Sequence, residues 1–358
     1  MVTMSEYFQV AQEKQASDIY FSVGSCPWLK IDDELHPLNT HPVLKESELE
    51  GLAREVLAPE QLQNFEARKD MIDACTIQGL GRLRVILSKG RGGLAMACRL
   101  IPLEVPKFET LGLPHILKRL VSAGSGLILV IGSAGSGKTT TLASLVNHIN
   151  NSSQKSIVTI EQPVEFLHTN NRSYIEQIQP HDTGIRFDKL WHAGFLKTAD
   201  VIVIDGLQKS ETVSLGLSAA AKGLLVLAAL ESNGGVAEVL KNIFDACPFA
   251  ERENQRRLLA RTLRGAIWQH LFPLKGHPGF KPAVEILIND RVISHMISQP
   301  GNLHLVRPTM AAGRIKGMQT MHQALETLRQ ESLVKEKIIS SFEDSMLAYY
   351  VYPVKEAF

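Results

Sequence analysis

The residues best suited to chemistry sit in one short stretch, Gly132-Ser133-Ala134-Gly135-Ser136-Gly137-Lys138-Thr139, followed by Thr140. Gly132, Gly137, Lys138 and Thr139 have the spacing of a phosphate-binding loop, whose glycines let backbone N–H groups aim at one point. In that arrangement Lys138 lies along the β- and γ-phosphates and the Thr139 hydroxyl takes one Mg²⁺ position. The start of the following helix adds its positive dipole end. A flexible Gly/Ser loop is the other reading of such a pattern taken alone. Context decides against it, because the apolar run Leu127 to Ile131 precedes the loop and Thr140 to Ile149 resumes with helical spacing. The expected ligands are ATP and Mg²⁺.

A loop of this kind works only at the carboxyl end of a strand in a parallel sheet. Strand-like runs follow at Ser156–Ile160, Asp200–Ile204 and Gly223–Leu230, with helical patterns at Ile185–Lys197 and Ser210–Lys222. The expected class is therefore α/β. Asp205, closing one of these strands, stands where a phosphate-loop protein holds Mg²⁺ through water. Capping the next turn is its other reading.

Before the loop lies a separate α+β pattern. It has a short helix over residues 4–14, a strand at Ser17–Val23, a hairpin partner at Lys30–Leu35 and helices at Glu46–Leu57 and Pro59–Arg68. Strands return at Gly81–Leu87 and Leu94–Ile101. Two prolines and no periodicity mark 101–112 as a linker, followed by a helix over His115–Ala123. The expected domains are 1–100, then 113–280 carrying the phosphate loop, then a mostly helical 281–358 with Gln319–Gln330 and Leu333–Phe342 as its clearest helices. A long helix is expected over Glu251–Trp268. Its arginines, 252, 256, 257, 261 and 264, read as a solvated or subunit-facing face, because no aromatic residues are interleaved for base stacking.

The 358 residues, 44% of them hydrophobic, are too many for one ordinary core. Lys plus Arg (38) nearly balances Asp plus Glu (37), so net charge gives no reason to expect nucleic acid. Cys26, Cys75, Cys98 and Cys247 form no C-x-x-C pair and read as buried thiols in a reducing compartment. No secretory pattern opens the sequence and no apolar run approaches the roughly 18 residues of a membrane span, so a cytoplasmic location is expected.

Taken in order, these motifs resemble the twitching-motility, or type IV pilus retraction, ATPases (PilT and PilU) of the secretion ATPase superfamily. The resemblance spans nearly the whole chain. It rests on Ala16-Ser-Asp-Ile-Tyr20, Gly81-Arg-Leu-Arg-Val85, the phosphate loop, Thr159-Ile-Glu-Gln-Pro-Val-Glu-Phe166 and Gly317-Met-Gln-Thr320. Val292–Ile297 and the long C-terminal tail are closer to the PilU branch. The resemblance implies a PAS-like N-terminal domain, a RecA-like nucleotide-binding domain, and a hexameric ring under the pilus base. Such a ring acts with an inner-membrane platform protein to pull pilin subunits back. Arg82, Arg84 and Arg91 resemble arginines that the N-terminal domain offers to a neighbouring subunit's nucleotide, although solvated strand charges would look the same.

The departures bear on catalysis. Where the family has Glu-Asp-Pro this chain has Glu161-Gln162-Pro163, and where it has Gly-Glu, with a water-polarising Glu, this chain has Asp205-Gly206. Family arginines are matched by Ile178, Asp182, His192 and Leu196, and two family histidines by Leu224 and Glu231. One arginine finger alone is worth about a thousandfold or more in rate. The leading expectation is thus a ring subunit that binds ATP, hydrolyses it weakly and works beside a catalytically complete partner. The alternatives are an autonomous ATPase that positions water with Glu161, Glu165 or Asp205, and a non-motor scaffold of a secretion platform.

Overall fold

Thr3 opens the first helix with its side chain accepting from Glu6 N while Glu6 reaches back to the Thr3 N–H, a reciprocal cap. Along this helix, α1 (Met4–Glu13), Met4, Tyr7, Phe8 and Ala11 recur at helical spacing, and all four are buried. The computed structural model describes residues 2–32, 34–68, 70–78, 80–180, 198–207, 209–245 and 247–351. Its contacts divide the chain into two units, Met1–Val105 with Gln162–Leu167, and Pro106–Glu161 with His168–Phe358.

The first unit is built on a six-stranded sheet of order β3-β2-β1-β6-β5-β4. The strands are β1 (Asp18–Ser22), β2 (Trp28–Ile31), β3 (Glu34–Pro37), β4 (Asp70–Ile77), β5 (Gly81–Gly90) and β6 (Gly93–Ile101). All pairings are antiparallel. In β5, Leu83, Val85 and Leu87 are buried and alternate with Arg82 and Arg84. Period-two alternation therefore puts both arginines on the face away from the core. Helix α1, α2 (Glu46–Val56) and α3 (Pro59–Arg68) accompany the sheet, and α2 contributes Leu49, Leu52 and Ala53 to the core.

The second unit holds a seven-stranded sheet of order β13-β12-β7-β11-β10-β8-β9. Its strands are β7 (Gly126–Gly132), β8 (Ser156–Ile160), β9 (Tyr174–Ile178), β10 (Val201–Asp205), β11 (Leu225–Glu231), β12 (Leu263–Pro273) and β13 (Phe280–Ile288). Every pair is parallel except β12 with β13. Strand β7 is buried along its whole length, as a central parallel strand must be. Its odd-numbered apolar residues, Leu127, Leu129 and Ile131, join one core, while Ile128 and Val130 join the other with Leu142, Leu145 and Val146 of the helix after the loop.

The α/β class agrees with the sequence; the contacts give two units where domains were expected at 1–100, 113–280 and 281–358. The second unit starts at Pro106, and Phe108, expected in a linker, is buried in a core of that unit. The boundary expected after residue 280 falls one residue into β13, which pairs along its length with β12. Met310, Met321, Leu325, Leu328, Ile339 and Met346 beyond it share the core under the parallel sheet. The long helix expected over Glu251–Trp268 stops at Thr262, and Leu263 onward is strand β12. Pairing with β7 on one side and β13 on the other overrides the helical spacing there. Strands β4 and β9 and the helix Val236–Asp245 have no counterpart in the expectation. The helix expected over 185–197 lies outside the described residues.

Candidate nucleotide site

Helix α4 (Ile116–Val121) precedes β7, which ends at Gly132, and α5 (Lys138–Ser152) begins immediately after the loop, with Gly137 as its N-cap. Crowding explains Gly132: a Cβ there would come within 2.2 Å of Ser136 Oγ and 2.7 Å of the Gln269 carbonyl. Gly135 and Gly137 have φ of 77° and 85°, a region that L side chains rarely adopt. No side chain caps α5 and no acidic residue lies in its first turn, so its N-terminal N–H groups and dipole face the loop. Ser136 Oγ is buried without a hydrogen-bond partner, while a Cβ at Gly135 would meet open space. An orphaned hydroxyl, an uncapped helix start and an open loop crest fit an anion.

Lys138 folds back over the loop, its Nζ donating to the carbonyls of Gly132 (3.0 Å) and Ser133 (2.8 Å). Ser133 is half-buried and Ala134 exposed on the rim, and Thr139 and Thr140 are half-buried in the first turn of α5. Beside the first turns of α5, one cavity is lined by Thr139, Thr159, Glu161, His168, Val203 and Asp205 together with apolar residues of the helix. This brings together Thr139, Glu161 and Asp205, which come from three separate parts of the sequence. Glu161 is buried and accepts from the Thr159 hydroxyl at 2.6 Å and from Gln177 Nε2 at 3.2 Å. Burial pushes the His168 imidazole down to about 4, so it is neutral near pH 7. Gly206, after Asp205, has φ of 115°.

Other candidates lie elsewhere. Glu165 does not line the cavity; within the first unit its carboxylate takes Arg84 Nη1 at 2.9 Å, and its carbonyl takes Arg82 Nε at 2.8 Å. Arg91 is exposed in the turn between β5 and β6. Ile178 and Leu224 are partly buried against the core and Glu231 is exposed, while Asp182, His192 and Leu196 fall outside the described residues. Cys98 and Cys247 are buried, but Cys26 and Cys75 only partly so. No helix among the described residues is long and apolar enough to cross a membrane.

Sequence reasoning missed His168, Gln177 and above all Gln269, which is buried on β12 and hydrogen-bonded to the loop and to Thr141 of α5. His168 follows the acidic motif closely enough to have been noticed. Gln269 was hidden by the helix expected to end one residue before it.

The type II/IV secretion system protein family matches residues 107–275. The uncharacterised protein YggR of Escherichia coli K12 is 33% identical over 327 residues, 91% of this chain and 98% of that protein. PilU, a type IV pilus ATPase of Pseudomonas aeruginosa, is 29% identical over 316 residues, 88% of this chain and 83% of its own. A crystal structure of the pilus retraction motor PilT with bound ADP superposes with a TM-score of 0.81 at 30% identity, covering 96% of this chain and 97% of that one. Overall identity thus does not favour the PilU branch over PilT. The chain belongs to the PilT/PilU-like type IV pilus ATPases of the secretion ATPase superfamily.

Proposed function

We propose that this protein binds ATP with Mg²⁺ in the loop Gly132–Thr140 and serves as a weakly hydrolysing subunit of a pilus retraction ring. The observation that carries the reading is the pairing of an intact phosphate loop with a strand end where Asp205 is followed by Gly206. Lys138 exchanges the loop carbonyls for β/γ-phosphate oxygens, and backbone N–H groups of the loop and the α5 start hold the rest. Thr139 and Asp205 would hold Mg²⁺, which would supply charge neutralisation for the phosphates. Gly206 offers nothing to orient an attacking water, and Ile178 and Leu224 neutralise no phosphate charge. The ring is hexameric or mixed with a catalytically complete relative, with exposed Arg91 facing a neighbouring subunit while Arg82 and Arg84 are held by Val164 and Glu165. It sits in the cytoplasm against the inner-membrane platform of the pilus.

A second reading has its own support. Glu161 and Asp205 line one cavity with Thr139, an arrangement from which a rebuilt site could position water. Steady-state phosphate release separates the two. Turnover about a thousandfold below that of a complete family member supports the first. Robust turnover, abolished by both Lys138→Ala and Asp205→Asn, overturns it in favour of the second. Repeating the assay with a complete relative present tests the partnership.

A further inference from the structure

Gln269 lies on β12, 2% exposed, with its side chain between the phosphate loop and the helix that follows it. Its Nε2 donates to the Ser136 carbonyl at 2.7 Å, and its Oε1 accepts from the Thr141 hydroxyl at 3.0 Å. The orientation of the carboxamide is fixed by its partners: a carbonyl can only accept, so the amide nitrogen must face Ser136. Ser136 and Thr141 are buried as well, which removes water as a substitute partner for any of the three.

We infer that Gln269 is a positioning residue of the phosphate loop, a role that rests on the nucleotide-binding reading above. The argument runs through one peptide. The Ser136–Gly137 bond is trans, the one cis bond among the described residues being Gln162–Pro163. In a planar trans peptide the C=O and N–H point in opposite directions. Holding the Ser136 carbonyl against Gln269 therefore turns the Gly137 N–H away from β12, toward the concave side of the loop where a phosphate is received. Gly137, at φ 85° with no side chain, is otherwise held through its carbonyl, which accepts from Thr141 N at 2.9 Å, so the Ser136 carbonyl provides the hold on its N–H side. Thr141 completes the device by holding the carboxamide at its other end, from a helix that starts at the loop. A Cβ on Gly137 would lie 3.2 Å from Gln269 Nε2, so the fit leaves no slack.

The test uses the full chain and a fluorescent ATP analogue with Mg²⁺. Binding is measured beside melting without nucleotide for the parent, Lys138→Ala, Gln269→Leu, Thr141→Val, Thr141→Ser and the Gln269→Leu/Thr141→Val pair. Gln269→Leu is expected to weaken binding by about tenfold and Thr141→Val by about fivefold, each close to the value of one net hydrogen bond. Thr141→Ser keeps the hydroxyl and parental affinity. The double variant binds no more weakly than Gln269→Leu alone, since both act on one unit. Nucleotide-free melting of Thr141→Val falls by a few degrees, the cost of one unpaired buried carbonyl, so binding is read at a temperature where every variant is folded and rescue by Thr141→Ser assigns the lost affinity to the hydroxyl. Should Gln269→Leu fail to fold, Thr141→Val against Thr141→Ser decides. Parental affinity in Thr141→Val, or in a folded Gln269→Leu, while Lys138→Ala loses binding, overturns the role of Gln269 and leaves the nucleotide site standing. Parental affinity in Lys138→Ala overturns the nucleotide reading itself.

Discussion

Arg84 Nη1 lies 2.9 Å from Glu165 Oε1, and the glutamate side chain is only 12% exposed. Beside it, Arg82 Nη2 donates to the Val164 carbonyl at 2.6 Å, so two successive outward-facing arginines of β5 hold one short segment. Arg84→Ala leaves that carboxylate unpaired and is expected to destabilise the first unit by about 1–3 kcal/mol. Urea unfolding of Arg84→Ala, Glu165→Gln and the double variant gives the coupling; additive losses would show that the pair is not a unit.

For catalysis the same pair makes a negative prediction. Glu165→Gln should leave nucleotide affinity and phosphate release within about twofold of the parent, the carboxylate being engaged with Arg84 and not among the residues that line the cavity of Thr139, Glu161 and Asp205. Glu161→Gln should change both. A Glu165→Gln variant that loses activity with its stability intact would return Glu165 to the candidate catalytic groups.

Lys138→Ala removes the one loop side chain that can meet a triphosphate as a point charge, and affinity for an ATP analogue should fall by about a hundredfold or more. Titration by fluorescence anisotropy measures it.

Restoring the family's glutamate is not a repair. Gly206 has φ of 115°, and a side chain there costs about 1–3 kcal/mol of strain unless the backbone shifts. Gly206→Glu is expected to lower the melting temperature without raising phosphate release. A gain in turnover would show that the strand end can relax.

Two groups shifted by burial give opposite pH slopes. Burial raises the Glu285 carboxyl against hydrogen bonds from Val236 N and Met321 N, which pull it down. Its contribution to stability is full below the ordinary carboxyl value and is lost as pH rises through the raised folded value. His168 is depressed by burial to about 4 from 6.5, so the unfolded chain binds the extra proton between those values and stability grows as pH rises through them. Glu285→Gln should flatten the first slope and His168→Gln the second, read as melting temperature between pH 4 and 7.

Local signals carried the phosphate loop, β7 and α5, because strand, glycines and helix lie within one continuous stretch whose chemistry is its spacing. The α/β class was legible for the same reason. What escaped was set by distant pairing. Strand β12 looks helical until β7 and β13 flank it, and Tyr174–Ile178 becomes a strand by lying beside β8. Of the expected acids, sequence could not separate Glu161, which faces the cavity, from Glu165, which Arg84 holds. Nor could it give the φ of Gly206.

Strand β12 also makes chain length itself a constraint. Its pairing with β13 runs from Gly265 opposite Ile288 to Pro273 opposite Phe280, and successive residues turn to opposite faces. Gln269 meets the loop, while the next residue, His270, stacks on Phe342 at 4.2 Å and the preceding Trp268 lies 6.1 Å from the same ring. A single deletion between Gly265 and Gln269 would present an imidazole to the phosphate loop and bury a carboxamide among aromatic rings. Relatives that vary in length should therefore do so outside this hairpin, whose arithmetic keeps the loop and the C-terminal helix each facing its own partner.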